Sequence, residues 1–440
     1  YRPGLGIWQS MGGIFSLLSK YISKNAKDCL LFLPYSKDIL NVYMRKYVYS
    51  VKNKENDMVD TLHLLIKPAS GNCNMRCAYC FYADEADNRE TPSFGVMDRD
   101  TARILIEKAM AYAKKHCTFT FQGGEPTLAG LEYFKFFTEP VRKCNKKNIS
   151  VSYNIQTNGY HLQETWFPFL KENKFLAGVS LDGDAACHDD LRRDAKGKGT
   201  YKHVMKTITL LKRYGIDFNV LAVVTGYSAG HAQRLYHFFK KHGLYYQQYI
   251  ECLDPIGEAR GISPYSLPPE KYGIFLKSLF DCWFLDMIRP SAEGTEGRRI
   301  YNRYFENLAA ILSGQEPELC SMRGICGLQW VVEADGSLYP CDFYALDEWR
   351  LGNIKNNSFE EIDQKREELG FISRSHILPK ECRTCPYLAL CRNGCCRLCK
   401  MEKQADGTYI RGKNYYCGAY REFFAYALPR LEELVRIWGK

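Results

Sequence analysis

Short apolar, β-rich runs alternate with segments of helical periodicity through the first two-thirds of the chain. The predicted strands cover residues 61–67, 117–121, 150–157, 177–181, 217–224 and 245–251. The predicted helices between and after them cover residues 98–115, 131–145, 201–213, 229–242 and 270–288. This order indicates parallel βαβ units with outer helices. It predicts an α/β fold, either a partial (β/α)6 TIM-like barrel or an open doubly wound sheet, because periodicity does not separate the two.

The pattern changes toward both ends of the chain. After Cys320 it becomes loop-rich, with a predicted β-hairpin around Asp335-Gly336 and a C-terminal helix over residues 420–438. We therefore predict a barrel over 58–290 and a cysteine-rich domain with a terminal helix over 291–440. Residues 1–57 are weakly patterned and have no assigned role. One interpretation is that they are not native and that translation starts at Met58, in which case they are dispensable.

Composition and charge narrow the class of protein. The 440 residues are 46% hydrophobic and 25% charged, as in ordinary globular proteins. No apolar run approaches the roughly 18 residues of a membrane helix, and the N-terminus has no signal-peptide pattern. We therefore expect a cytoplasmic protein without a membrane partner. The net charge of +10 is dispersed, so a nucleic-acid partner is not expected.

The 19 cysteines carry the most information. A reducing compartment excludes a disulfide framework, and clustered cysteines there indicate metal or iron–sulfur ligation. Cys73, Cys77 and Cys80, the first cysteine group, follow the first strand with x3 and x2 spacing. Three thiolates on a four-iron cluster leave one iron open to a chelating small molecule. The alternative is a zinc knuckle completed by a distant ligand such as His63.

Polar and glycine-rich segments follow the next strands. Gln122-Gly123-Gly124-Glu125-Pro126 comes after the second strand, at the edge where barrel sites form. The glycines allow close backbone approach to a ligand, and Glu125 offers an acceptor for an ammonium group. As a lone motif, however, this segment is equally typical of a turn.

Ten further cysteines lie between Cys320 and Cys417. Eight have spacings that suit two four-cysteine sites, for zinc or for clusters, and Cys396 and Cys399 are left over.

These motifs together resemble a known enzyme family. Residues 73–82 resemble the signature of the radical S-adenosylmethionine (SAM) superfamily, and residues 122–126 look like its methionine-binding segment. The later cysteines resemble the SPASM extension, which holds two auxiliary clusters. With residues 64–70, 339–347 and 414–417 added, the chain resembles anaerobic sulfatase-maturating enzymes from about 60 to 438.

The resemblance implies three 4Fe–4S clusters and a SAM site. The open cluster is held by the first cysteine group. The first auxiliary group is Cys320, Cys326, Cys341 and Cys395, and the second auxiliary group is Cys382, Cys385, Cys391 and Cys417. The implied SAM contacts are Tyr79, Gly124, Ser180, Arg192 and Leu253, with Gln122 as a neighbour. The implied base is Asp342, which we expect to be ionised at pH 7 with an ordinary carboxylate pKa; Tyr82 is either a substrate neighbour or a packed aromatic.

The implied reaction is oxidation of a cysteine, and in some members a serine, of a sulfatase polypeptide to Cα-formylglycine. The implied partners are a Cys/Ser-x-Pro/Ala-x-Arg motif in that polypeptide and an electron donor such as flavodoxin or ferredoxin. Three alternatives remain at this point: a SPASM maturase that forms thioethers or crosslinks in a ribosomal peptide, an RNA-modifying radical SAM enzyme, and a non-catalytic zinc protein.

Overall fold

The fold is built from a large sheet and surrounding helices. A computed structural model describes residues 60–288, 299–405 and 408–438. The strands are β1 (Thr61–Ile66), β2 (His116–Phe121), β3 (Ser150–Thr157), β4 (Leu176–Ser180), β5 (Phe218–Val224), β6 (Tyr246–Glu251), β7 (Tyr301–Asn302), β8 (Trp330–Val332), β9 (Ser337–Tyr339), β10 (Gly352–Asn353), β11 (Cys399–Lys403) and β12 (Tyr409–Asn414). The helices are α1 (Phe81–Asp87), α2 (Arg99–Tyr112), α3 (Leu131–Cys144), α4 (Trp166–Glu172), α5 (Ala185–Leu191), α6 (Tyr201–Arg213), α7 (Ala232–Lys241), α8 (Pro269–Ile288), α9 (Arg303–Leu312), α10 (Phe359–Glu368), α11 (Lys380–Arg383), α12 (Leu388–Cys391) and α13 (Cys417–Trp438).

The main sheet has the strand order β10-β9-β8-β1-β2-β3-β4-β5-β6-β7. Pairing is parallel from β8 through β1 to β7, and β9 and β10 add antiparallel strands at one edge. Within the described residues the two outer strands do not pair, so the sheet is a partial barrel. The carboxyl ends of its parallel strands meet at one edge, where barrel sites form.

All six predicted strands are confirmed, with small shifts at their ends. Helix α2 ends at Tyr112 because Ala113 is extended, and α7 begins at Ala232 because the preceding turn is 3-10. The sequence analysis missed the strands β7, β10, β11 and β12 and the helices α1, α4, α5, α9, α10, α11 and α12. Five of the missed helices are only seven to ten residues long. A run this short shows few turns of periodicity.

The cysteine-rich region is joined to the barrel by backbone and apolar contacts. The predicted hairpin forms as β8 and β9, and β8 pairs in parallel with β1 in the register Leu64 with Trp330. Helix α13 packs along α8, with Phe423 and Phe280 in one buried cluster. The expected boundaries at 57/58 and 290/291 lie outside the described residues. None of the described helices is long and apolar enough to cross a membrane.

Candidate active site and cysteine groups

The first cysteine group lies on the loop between β1 and α1. Two backbone bonds hold this loop to the segment after α5: the Arg76 N–H donates to the Arg193 carbonyl at 2.7 Å, and the Ala78 N–H donates to the Leu191 carbonyl at 3.1 Å. The Asn158 side chain, at the end of β3, lies 3.5 Å from the Cys73 sulfur. The three thiols are close enough to influence each other, and burial raises the pKa of Cys77 to about 12.

The thiols fit an iron–sulfur cluster better than a single zinc ion. Zinc ligands converge on one ion at about 2.0–2.3 Å. Across the described ranges, no group of three or more His, Cys, Asp or Glu side chains is arranged to hold one metal ion. The ring of His63, the suggested fourth zinc ligand, lies in β1 beside His116, with 6.5 Å between ring centroids. The zinc knuckle therefore has no support in this geometry, and three adjacent thiols on one loop suit the open cluster.

The glycine-rich segment after β2 is fixed against the cysteine loop. The Gly124 N–H donates to the Ser70 carbonyl at 3.0 Å, and the Glu125 N–H donates to the Asn72 carbonyl at 2.7 Å. A Cβ at Gly124 would overlap the Asn72 carbonyl group, so a larger residue would push the two segments apart. Gly124 thus leaves a close backbone approach next to the cysteines.

Glu125 has a structural role that the sequence analysis did not anticipate. Its carboxylate is buried and accepts hydrogen bonds from Thr127 N–H and Oγ1, from Thr157 Oγ1 and from the Asn158 N–H. Three of these donors bind Oε1, and among the described residues Oε2 accepts only the Asn158 N–H, so a ligand's ammonium as a further donor stays a prediction.

Tyr79 and Arg192, two of the expected SAM contacts, form a buried cluster with Asp182. Arg192 Nη1 donates to the Tyr79 hydroxyl at 3.1 Å, and that hydroxyl donates to the Asp182 carboxylate. Arg192 Nε is buried and has no hydrogen-bond partner among the described residues. The unsatisfied donor leaves capacity for a ligand. Asp182 follows β4, and the sequence analysis gave it no role.

The other expected SAM contacts lie near the same edge of the sheet. Ser180, at the end of β4, accepts a hydrogen bond from Gln156 Nε2 at 3.1 Å. Leu253, just after β6, packs against the apolar cluster that contains Tyr79. The Gln122 side chain instead contacts Asp342, so it belongs to the site of the expected base.

Asp342 follows β9 by three residues and is buried; with Tyr82 and Gln122 it forms what we call the Asp342 pocket. Its Oδ2 accepts from the Tyr82 hydroxyl at 2.7 Å and from Gln122 Nε2 at 3.1 Å, while Oδ1 has no partner among the described residues. Burial raises the pKa of Asp342 to about 7, with a further contribution from Glu85 and an opposing one from Lys67. The expectation of an ordinary carboxylate pKa is therefore wrong, because the sequence does not show the burial or the second carboxylate.

A buried ionic network supports the Asp342 turn. Lys67 lies 2.9 Å from Glu85 and 2.7 Å from Glu333, and Arg89 lies 2.6 Å from Glu333. The Ala345 N–H donates to Glu85 at 2.8 Å. The network joins the end of β1, helix α1 and the β8–β9 turn. Sequence analysis missed it because its members lie far apart along the chain.

The structure brings members of each expected C-terminal cysteine group close together, and their assignment to two clusters stays a prediction. In the first auxiliary group, burial and the neighbouring Cys395 and Cys320 raise the pKa of Cys341, and Cys341 and Cys395 in turn lie near Cys326. In the second auxiliary group, the pKa of Cys391 is raised to about 12 by burial and by the other three members. A bound cationic group at either place would favour the thiolate forms of these cysteines.

The two leftover cysteines are buried beside these groups. Cys396 contacts Cys326 of the first auxiliary group. The Cys399 sulfur lies 3.4 Å from Arg411 Nε and 3.5 Å from the Asn393 carbonyl. These contacts satisfy the Cys399 thiol within the chain, so it is a packing residue.

Comparisons with known proteins agree with this arrangement. Residues 68–239 match the radical SAM superfamily, and residues 325–386 match SPASM, an iron–sulfur cluster-binding domain. The chain is 43% identical over 370 residues to a cysteine-type anaerobic sulfatase-maturating enzyme of Clostridium perfringens, covering 84% of this chain and 97% of that one. The chain belongs to the anaerobic sulfatase-maturating enzymes.

More distant members and solved structures of this family also match. A serine-type anaerobic sulfatase-maturating enzyme of Bacteroides thetaiotaomicron is 29% identical over 84% of this chain and 90% of that one. A structure of anSMEcpe with bound AdoMet and the Cp18Cys peptide has a TM-score of 0.78 and 42% identity, covering 86% of this chain and 99% of that one. As an anaerobic sulfatase-maturating enzyme with radical SAM and SPASM domains, the chain is an oxidoreductase that uses 4Fe–4S clusters and SAM and acts on a peptide substrate.

Proposed function

We propose that this enzyme oxidises a cysteine of a sulfatase polypeptide to Cα-formylglycine under anaerobic conditions. The observation that carries the proposal is the Asp342 pocket beside Cys341: one carboxylate oxygen is held by Tyr82 and Gln122, and the other has no partner. A carboxylate with one oriented and one available oxygen can accept a proton from a substrate thiol. The cysteine-type relatives at 43% identity support cysteine as the oxidised residue.

The chain's own residues divide into those that hold cofactors and those that handle the substrate. The first cysteine group would hold the cluster that binds SAM, with Tyr79, Gly124, Ser180, Arg192 and Leu253 around it. The two auxiliary groups would hold the other clusters. When bound, these groups supply the one-electron chemistry that removes hydrogen from the substrate Cβ and carries an electron away.

The role of Asp342 follows from its contacts. Tyr82 and Gln122 fix Oδ2, so Oδ1 is oriented without reorganisation when the substrate arrives. A pKa of about 7 suits a general base near neutral pH, because the group is ionised often enough and still binds the transferred proton well. Lys67 lowers the pKa of Asp342 against the effect of burial. The side chain can therefore both accept the proton and release it.

The partners are also part of the proposal. We infer a substrate segment of the type Cys-x-Pro/Ala-x-Arg and a low-potential donor such as flavodoxin or ferredoxin. Serine in place of cysteine remains a second substrate to test, since serine-type relatives are 29% identical to this chain.

The test is anaerobic turnover by the fully loaded enzyme. The enzyme is incubated with SAM, a chemical reductant and a Cys-x-Pro-x-Arg peptide, and the peptide is examined by mass spectrometry before and after hydrazide labelling. We expect an aldehyde at the cysteine position, released sulfide and methionine from SAM. A matched Ser-x-Pro-x-Arg peptide measures specificity. SAM cleavage with a thioether or crosslinked product instead would refute the proposal.

A further inference from the structure

A buried arginine without a carboxylate partner lies next to the first auxiliary group. Arg374 is 4% exposed, and its Nε and Nη2 atoms are buried and have no hydrogen-bond partner among the described residues. No carboxylate in the described part of the chain forms an ion pair with it. Burying a guanidinium in this way is costly unless something anionic compensates it.

The immediate surroundings of Arg374 are aromatic. Its guanidinium carbon lies 4.0 Å from the ring centroid of Trp349, 4.5 Å from Tyr344, 4.6 Å from Phe371 and 5.7 Å from Tyr409. Such rings attract a cation through their quadrupoles and fix its position. They carry no net charge, so the positive charge remains uncompensated within the aromatic cage.

Direct contacts place this cage against the first auxiliary group. Ser375 directly follows Arg374 in the chain. The backbone N–H of Cys326 donates to the Ser375 hydroxyl at 2.9 Å. Cys326 and Cys341 both pack against the apolar cluster built on Trp349 and Phe371. Two of the four cysteines of the group therefore pack against the same apolar cluster as the aromatic rings around Arg374.

A second buried cation lies on the same side. Arg411 is 1% exposed and donates to the carbonyls of Ser375 at 2.6 Å, Asn393 at 3.0 Å and Gly394 at 2.7 Å. These acceptors are neutral, so they orient the guanidinium without neutralising it. Arg411 also contacts the Cys399 sulfur and lies near Cys326, so a second buried positive charge lies beside the first auxiliary group.

We propose that Arg374 and Arg411 compensate the negative charge of the auxiliary cluster held by the first auxiliary group, and that Arg374 raises its reduction potential. Four thiolates leave such a cluster anionic, and each added electron makes it more so. A nearby fixed cation stabilises the reduced form, since net charge and surroundings set cluster potentials. This inference rests on the cluster assignment of the proposed function and assigns Arg374 a positioning and tuning role, without contact to the substrate.

The experiment measures reduction potentials instead of turnover. The background variant has alanine at the three positions of the first cysteine group, so that only the auxiliary clusters contribute to a redox titration followed by electron paramagnetic resonance. In this background, Arg374→Gln should lower the potential of one auxiliary cluster and leave the other unchanged. We expect the ratio of reduced to oxidised cluster at a fixed potential to fall by roughly tenfold, or about 59 mV for a one-electron couple.

Two further variants separate charge from packing. Arg374→Lys keeps the charge and should keep the potential near that of the background. Arg430→Gln is the matched control, because Arg430 also stacks on aromatic rings, at 4.3 Å from Tyr426, but pairs with Asp281 at 2.9 Å. It should change neither potential.

The possible results are distinct. If Arg374→Gln retains both clusters with unchanged potentials, or shifts both equally, the proposal is wrong. If Arg374→Gln loses one cluster, retention of iron and potential by Arg374→Lys supports the role of the charge, and loss in both variants overturns it. If Cys396→Ser removes the effect of Arg374→Gln, the anionic partner is Cys396 and the proposal is again wrong. Lack of formylglycine in the turnover assay would refute the proposed function alone, because the potentials are measured independently.

Discussion

Replacing Asp342 by asparagine should separate SAM cleavage from product formation. In the variant, the amide oxygen can still accept from Tyr82 and Gln122, which directs the NH2 group to the position of the unpartnered Oδ1. An NH2 group cannot accept a proton at neutral pH. The pocket keeps its shape and loses only its base. We therefore expect formylglycine formation to fall by the contribution of a general base, about 10²–10⁴-fold, or about 3–5 kcal/mol in activation free energy.

The assay compares two products in the same anaerobic reaction. Methionine or deoxyadenosine reports SAM cleavage, and mass spectrometry of the peptide reports formylglycine. The ratio of peptide product to cleaved SAM should drop in Asp342→Asn while SAM cleavage persists. Asp347→Asn is the matched control, because Asp347 lies on the same segment and, among the described residues, its side chain accepts only from the exposed Glu90 N–H at 2.8 Å. A normal product yield from Asp342→Asn would remove Asp342 from the mechanism.

The pH profile provides an independent check on the same residue. Burial raises the pKa of Asp342 to about 7, so the carboxyl group is increasingly protonated, and unable to accept, as the pH falls below that value. The product-to-SAM ratio of the native enzyme should therefore rise with pH through about 7 and level off above it. The small residual activity of Asp342→Asn should not show this step. An identical step in both proteins would assign it to another group.

Three further perturbations test the supporting structure. Alanine at all three positions of the first cysteine group should abolish SAM cleavage and retain roughly two-thirds of the iron, measured by iron counting and Mössbauer spectroscopy; complete loss of iron, or continued deoxyadenosine formation, would contradict the three-cluster assignment. Gly124→Ala should reduce SAM cleavage at least about tenfold, because its Cβ overlaps the Asn72 carbonyl group, whereas Gly230→Ala, with open space around it, should behave like the native enzyme. Glu333→Gln should lower the free energy of unfolding by about 3–5 kcal/mol, because Arg89 loses its carboxylate partner and Lys67 keeps only Glu85; a melting temperature equal to that of the native enzyme would show that the network is not important for stability.

The elements that the sequence predicted well are those with a local signal. β1 and β2 are buried along most of their length, whereas β3 and β5 alternate buried and partly exposed positions, and both patterns mark a strand in the sequence. The cysteines group by spacing because ligands of one site often lie on one loop, as Cys73, Cys77 and Cys80 do. The pairing of Cys395 with Cys320, by contrast, joins distant segments and came from the resemblance alone.

What sequence could not supply is the electrostatic environment of single residues. The raised pKa of Asp342 depends on burial and on Glu85, which lies more than half the chain away. The hydrogen bonds from Thr127, Thr157 and Asn158 to the Glu125 carboxylate were likewise not visible in the sequence. Arg374 carries no motif at all, and its cage forms only when distant aromatic residues pack together.

The pairing of β8 with β1 has a consequence for how the enzyme is made in the cell. Strand β1 leaves the ribosome early, but its neighbour on one side, β8, is synthesised only after most of the barrel. At ordinary translation rates this interval lasts tens of seconds. Throughout it, one edge of β1 presents open backbone donors and acceptors that can pair with another chain. Nascent molecules are therefore most exposed to misassembly before residue 330 is made, and slowing translation between β1 and β8 should increase aggregation.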